Sequence, residues 1–261
     1  DSVQGWPTWV LTNHDSIRIA SRIGQLPAKS LALFTLALPG CSYIYNGQEL
    51  GLPSGELEDR DRQDPVFFRS NGLQKGRDEV RIPMPWSGEI SPYGFTTGKP
   101  WLPIPNNWQN LTVDAQEMDQ NSSLNMYKKA LQIRKTFIGN NEIEWESSKF
   151  GEGVTAFSRA GFTFVLNTSD RPIKISGKVI LASTPILNDM LPAQGAVWLH
   201  IGHRHVHKAR VCVGIEVDAG RTLLRNDGQV EVVRREQRSG GEQHARARFT
   251  LRRPERPVPD G

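Results

Sequence analysis

Six consecutive residues, Asn13-His14-Asp15-Ser16-Ile17-Arg18, place a carboxylate, an imidazole and a guanidinium within a few positions of one another. A carboxylate accepts two hydroxyl bonds at once, an imidazole donates one, and a guanidinium forks onto neighbouring oxygens, so the trio suits a polyhydroxylated ligand. The same hexapeptide also reads as a helix start, with Asn13 or Asp15 as the cap and Arg18 on the surface. A second cluster, His203-Arg204-His205-Val206-His207, has alternate spacing that is weak evidence for a metal, and no metal is expected.

The elements around the hexapeptide decide what it can do. Trp9-Val10-Leu11 is a short apolar run that ends in the polar cluster, as a buried strand does. Ala28 to Leu38 is apolar almost all round and long enough for a buried helix, stopped by Pro39-Gly40. Ser42-Tyr43-Ile44-Tyr45 reads as a second strand. Strand, helix, strand is the repeat of a parallel α/β fold. From Pro53 to Asn121 no period is visible, although Pro, Gly and Trp are frequent enough to argue for an ordered, functional loop. Asn121-Ser122-Ser123 then offers caps for an amphipathic helix with Met126, Ala130, Ile133 and Phe137 on one stripe, ended by Gly139-Asn140-Asn141. After it the period becomes two. Residues 153–159, 162–167, 178–181 and 196–199 are expected strands of a small antiparallel β domain.

The net charge of +4 invites a nucleic-acid reading, but its distribution removes the appeal. Residues 1–199 carry a net −1, whereas 200–261 carry +5 and five of the six histidines, with a lysine to arginine ratio of 1:12. Acidic residues are scattered among those arginines and stacking aromatics are scarce, so no nucleic-acid partner is expected. The abrupt change at His200 reads as a frameshifted, read-through or disordered extension. Residues 211–217 and 229–233 could be strands, without an obvious partner for either. No run of eighteen apolar residues occurs, so no membrane partner is expected. Two cysteines, Cys41 and Cys212, are too few for a disulfide scaffold, so the expected setting is cytoplasmic and Cys41 is expected to be buried. The chain opens on Asp1 with no leader before the first motif, which reads as a fragment boundary.

Several blocks, in order, resemble the α-glucosidase and oligo-1,6-glucosidase branch of glycoside hydrolase family 13, the α-amylase family. They are Trp9-Val10-Leu11-Thr12-Asn13-His14-Asp15, Leu36-Ala37-Leu38-Pro39-Gly40 with Tyr43-Ile44-Tyr45-Asn46-Gly47-Gln48-Glu49-Leu50-Gly51, Gly76-Arg77-Asp78 with Arg81-Ile82-Pro83-Met84-Pro85-Trp86, and Gly94 to Pro103. The resemblance spans roughly residues 6–199. It implies an α/β fold: the last two strands and helices of a (β/α)8 TIM barrel over 1–139, with a long loop at 53–121. A small antiparallel β-sandwich over 140–199 and the Arg/His-rich tail over 200–261 would follow.

The resemblance also implies roles. Asp15 would be the third essential carboxylate, gripping ring hydroxyls and stabilising the transition state, and His14 would bond hydroxyls beside the scissile bond. Arg18 would contact the terminal glucose. Arg77 and Asp78 would lie near the pocket mouth, or else form an ion pair that fixes the loop. Glu49 is tempting as an acid, but its family position is usually structural. A retaining glycosidase needs two carboxyl groups about 5–5.5 Å apart as nucleophile and acid/base. In this family both come from earlier strands, so they would be absent from this chain. The expected partners are an α-glucoside or short oligosaccharide and the missing N-terminal barrel portion, from the same or a split gene. No cofactor is implied. Alone, the chain should be inactive, with an unpaired strand edge and an apolar helix lacking its sheet. A non-catalytic scaffold on the same fold, or a transglycosylating relative forming isomaltulose or trehalose, are the alternatives.

Overall fold

The computed structural model describes residue 5 and residues 7–138 and 143–200, and beyond them only the backbone of four strands between 215 and 249. Asp1–His203 form one compact unit and Arg204–Gly261 a second. The expected parts 1–139 and 140–199 are thus packed together in the first.

Its first elements are β1 (Thr8–Val10), α1 (Ile19–Ile23), α2 (Gln25–Ala37) and β2 (Cys41–Tyr43). β1 and β2 pair in parallel, Trp9 opposite Ser42, with the two helices as the crossover. Gly40 makes the return possible. Its φ of 96° favours glycine, and a Cβ there would lie 2.0 Å from the Pro7 carbonyl that accepts the Cys41 N–H. Each strand has a neighbour on one side only among the described residues, as a βαβ piece of a larger parallel sheet would. With so little sheet around it, Cys41 is exposed and not buried as expected.

Between β2 and residue 121 the chain is built from short pieces: α3 (Pro65–Arg69), α4 (Val113–Met118) and 3₁₀ turns at Asp59–Asp61, Asp78–Val80 and Gln109–Leu111. Leu50, Leu52, Ile82, Tyr93, Leu102 and Trp108 are buried in one cluster beneath it, so this long stretch has its own core. α5 (Ser123–Ile133) follows, capped by the Ser122 hydroxyl, which accepts the Asn125 N–H at 3.1 Å. It runs into a π-turn at Arg134–Ile138. That turn shifts the helical phase, so Ile138 is buried and Phe137, expected on the inner stripe, is exposed.

The remaining strands of this unit are β3 (Glu144–Trp145), β4 (Val154–Arg159), β5 (Phe162–Asn167), β6 (Ile173–Lys174), β7 (Lys178–Ala182), β8 (Met190–Leu191) and β9 (Ala196–His200). Five form an antiparallel sheet in the order β3-β4-β5-β9-β7, and β6 pairs with β8 apart from it. Alternation along β4, β5 and β9 sends Phe157, Phe164 and Trp198 to one face, against α2 and α5. Val165, Val197 and Leu199 go to the other face, with Leu191 of β8. Where a β-sandwich is expected, the second layer among the described residues is only the β6–β8 pair.

The barrel sheet expected to be missing beside α2 is only the β1–β2 pair among the described residues, yet the helix is not left bare. It is covered by the five-stranded sheet, and the Trp198 indole Nε1 donates to the Leu33 carbonyl at 3.1 Å. An all-round apolar helix is what a helix between two layers requires. In the second unit, β10 (Ile215–Val217), β11 (Arg221–Asn226), β12 (Gln229–Arg234) and β13 (Ala245–Phe249) form an antiparallel meander. β11 and β13 supply the partners that the sequence did not reveal. The His203–His207 cluster, Cys212 and the 139–141 helix stop lie outside the described residues.

Candidate functional site

The chain leaves β1 into a self-bonded turn. The Asn13 side-chain oxygen accepts the Asp15 N–H at 2.9 Å, and the Ser16 hydroxyl accepts the Asn13 N–H at 3.2 Å. Neither Asn13 nor Asp15 caps α1, whose N-terminal flanking residue is Arg18. The turn presents His14 and Asp15 outward, their side chains 63% and 49% exposed, with His14 Nε2 3.3 Å from Asp15 Oδ2. The other carboxylate oxygen, Oδ1, accepts from Arg77 Nη1 at 3.0 Å and Arg81 Nη2 at 2.8 Å. Arg81 Nε also donates to the His14 carbonyl at 3.0 Å. Partial burial raises the Asp15 carboxyl, but the Arg77 and Arg81 hydrogen bonds and the nearby His14 outweigh it. The net direction is below the ordinary carboxylate value, so Asp15 is held ionised.

The Gly76-Arg77-Asp78 block works as one device. Asp78 Oδ2 accepts the backbone N–H groups of Gln63 and Asp64 at 2.7 and 2.8 Å, which folds residues 63–64 back on the block. Gly76 has a φ of 76°, and a Cβ there would lie 2.7 Å from that of Asp64. Asp64 Oδ2 then accepts both Arg77 N–H at 3.0 Å and Arg77 Nε at 2.8 Å. Arg77 is therefore paired with Asp64 and Asp15, and not with Asp78 as the loop-fixing alternative had it. An open groove of about 570 Å³ runs beside it, with Asp64, Arg69, Gln74 and Gly76 among its lining.

Arg18, for which a contact with the terminal sugar is expected, does not join this cluster. Its side chain is 1% exposed, donating from Nη1 to the Asn46 carbonyl at 2.8 Å and from Nη2 to the Val80 carbonyl at 3.0 Å. Its guanidinium carbon stacks 4.8 Å from the centre of the Tyr45 ring. The space it faces, with Thr12, Gln48 and Tyr127, is about 10 Å³, room for a water and not for a sugar ring. Carbonyls from positions 46 and 80 claim this charge, so Arg18 ties the end of β1 to the end of β2 and to the loop. Glu49 lies in the same interior. Burial pushes its carboxyl up, against the backbone N–H groups of Glu49 and Gly47 and the charge of Arg18.

Asp64 and Arg81 carry the site alongside His14, Asp15 and Arg77, and sequence reasoning named neither as a functional residue. In the sequence Arg81 stands out only as part of the Arg81-Ile82-Pro83-Met84-Pro85-Trp86 block. Its spacing of four from Arg77, across a short 3₁₀ turn, is the signal that could have paired them. Asp64, before Pro65, shows only as a helix cap.

A carboxylate held by two arginines and a histidine, at the C-terminal end of a parallel strand, defines a polar site of the kind α/β barrels build on that face. Residues 2–140, more than half of the chain, match the family described as "Alpha amylase, catalytic domain", and the chain belongs to this family. It is 31% identical over 158 residues to an alpha-glucosidase of Apis mellifera, covering 59% of this chain and 28% of that protein. It is 35% identical over 156 residues to an oligo-1,6-glucosidase of Parageobacillus thermoglucosidasius, covering 51% of this chain and 28% of that one. A trehalose-6-phosphate hydrolase structure from Bacillus licheniformis superposes with a TM-score of 0.60 at 25% identity, covering 74% of this chain and 43% of that one. The chain thus spans about a quarter of the curated relatives' length. Their homology identifies a glycoside hydrolase lineage and a partial barrel-type fold. No helix among the described residues is long and apolar enough to cross a membrane.

Proposed function

We propose that the chain is the sugar-gripping C-terminal part of an α-glucosidase-type hydrolase acting on α-linked glucosides and short oligosaccharides. The observation that carries this reading is the Asp15 carboxylate, ionised and held at one oxygen by Arg77 and Arg81 while the other oxygen faces His14. In this role Asp15 accepts hydroxyl protons of a bound glucose ring, in bonds that strengthen as positive charge grows on the sugar, and His14 donates beside them to fix the ring's position. The nucleophile and the acid/base come from a barrel portion that pairs with the open edges of β1 and β2. Until that portion is present, both carboxyl groups that a double displacement needs as nucleophile and acid/base are missing. A scaffold without catalysis is the weaker reading, since it has no use for a carboxylate fixed by two arginines.

The test is complementation. The purified chain alone is expected not to turn over p-nitrophenyl α-glucoside. Co-expression with the N-terminal barrel portion of the Parageobacillus oligo-1,6-glucosidase, ending where the match begins, is expected to give turnover that Asp15→Asn removes. Turnover by the chain alone, or a complemented Asp15→Asn that stays active, overturns the proposal. Sucrose as substrate separates the outcomes: free glucose marks hydrolysis, isomaltulose marks transfer.

A further inference from the structure

An exposed ion pair between long side chains is a weak constraint, because it is screened by water and costs side-chain entropy to hold. Arg77 and Asp15, both about half exposed, would be such a pair on their own. The arginine's other end is different. Asp64 is buried, its side chain 1% exposed, and it is fixed from every side. Oδ1 caps α3 by accepting the Val66 N–H at 3.0 Å, its backbone N–H is held by Asp78, and Gly76 packs against its Cβ. The cap needs only Oδ1, so Oδ2 is left to face Arg77.

We propose that Asp64 is a positioning residue for Asp15, its buried carboxylate anchoring Arg77 at Nε so that the planar guanidinium presents Nη1 to Asp15 Oδ1. A guanidinium is rigid, so fixing one edge aims the other, and Arg77 reaches Asp15 with its entropy cost already met by the buried end. Arg81 completes the grip on the same oxygen, which leaves Oδ2 facing the exposed His14. The charged groups around Asp15 are His14 on its own turn and Arg77 and Arg81 from the loop. Asp64 faces Arg77 alone among them. The inference rests on the reading of Asp15 as the sugar-gripping carboxylate for its meaning, but not for its geometry.

The experiment is a carbon-13 NMR titration of aspartate carboxyl groups in the full chain, with the Asp15 signal assigned by its loss in Asp15→Asn. Asp64→Asn keeps a competent cap and removes the charge that holds Arg77. The Asp15 midpoint is expected to rise by about 0.5–1 pH unit as Arg77 swings away. A folded Asp64→Asn whose Asp15 midpoint is unchanged or lower overturns the proposal, since Arg77 then reaches Asp15 unaided. Arg77→Lys is the second variant and decides the matter if Asp64→Asn does not fold. It keeps a positive charge but not the fork, so a rise supports the anchored geometry and an unchanged midpoint overturns it. Turnover of p-nitrophenyl α-glucoside by the complemented enzyme is independent. A complemented Asp15→Asn that stays active, together with the expected midpoint shifts, sinks the sugar reading and leaves the positioning link standing.

Discussion

Between α2 and the five-stranded sheet the fixing contacts are apolar and broad: Leu33, Phe34, Phe157, Phe164 and Trp198 share one cluster, with ring pairs about edge to face at 5.1 and 5.3 Å. Around Asp15 they are polar, pairwise and directional. Asp64, Arg77, Asp78 and Arg81 each depend on two or three bonds to residues distant in sequence. Outside its own apolar cluster the loop frame shows the same style again, as in Arg62, which bonds Asp59, Glu79 and the carbonyls of Leu57 and Lys75. Apolar packing tolerates small displacements and resists large volume losses. A directional frame behaves the other way, losing its geometry to a single atom in the wrong place. The structure therefore keeps its stability in one region and its aim in another.

The largest expected effect breaks the first region. Trp198→Ala removes a fully buried indole and its bond to the Leu33 carbonyl, and should cost about 3–5 kcal/mol in urea unfolding. A loss below about 1 kcal/mol would mean that the interface between helix and sheet does not hold the unit together.

Gly76→Ala is expected to cost less, about 1–3 kcal/mol, from a side chain at positive φ pressed on Asp64. Its consequence for the site should exceed its consequence for stability. Displacing Asp64 moves Arg77, so the Asp15 carboxyl midpoint should rise in a chain that still unfolds cooperatively. An unmoved midpoint with lowered stability would show that the loop frame and the Asp15 grip are not coupled.

This contrast also explains what could be read in the sequence. β4, β5, β7 and β9 follow from short runs of apolar and β-branched residues between turn signals, and α2 from its unbroken apolar run, because each of these signals is local in the chain. β3, β6 and β8 have two residues each, too few to show a period. Phe137 was misplaced because a π-turn adds a residue to the helical repeat, which a constant period does not anticipate. At the site, the turn carrying His14 and Asp15 was legible as a polar cluster after a strand. Arg18 belonged to the same motif, yet its burial depends on carbonyls 28 and 62 residues away, and no spacing within the motif encodes them. Asp64 and Arg81 were obscured for the same reason, since their partners are set by how the loop folds back at Gly76 and Asp78.

The smallest effect tests whether the loop frame is modular. Thr112 is buried and caps α4, its hydroxyl accepting the Ala115 N–H at 3.2 Å and donating to the Gln109 carbonyl at 3.1 Å. α4 carries Gln116, whose amide donates to the Leu50 carbonyl and accepts the Leu124 N–H, so the cap supports the joint between the loop and α5. Thr112→Ala should cost about 1 kcal/mol, and Thr112→Ser should recover most of it. Hydrogen exchange should quicken in the first turn of α4, while the Asp15 midpoint stays where it is, because no bond of the Asp64–Arg77–Asp15 chain passes through Thr112. If that midpoint moves with the cap, the frame is one cooperative body, and the division between a region that stabilises and a region that aims does not hold.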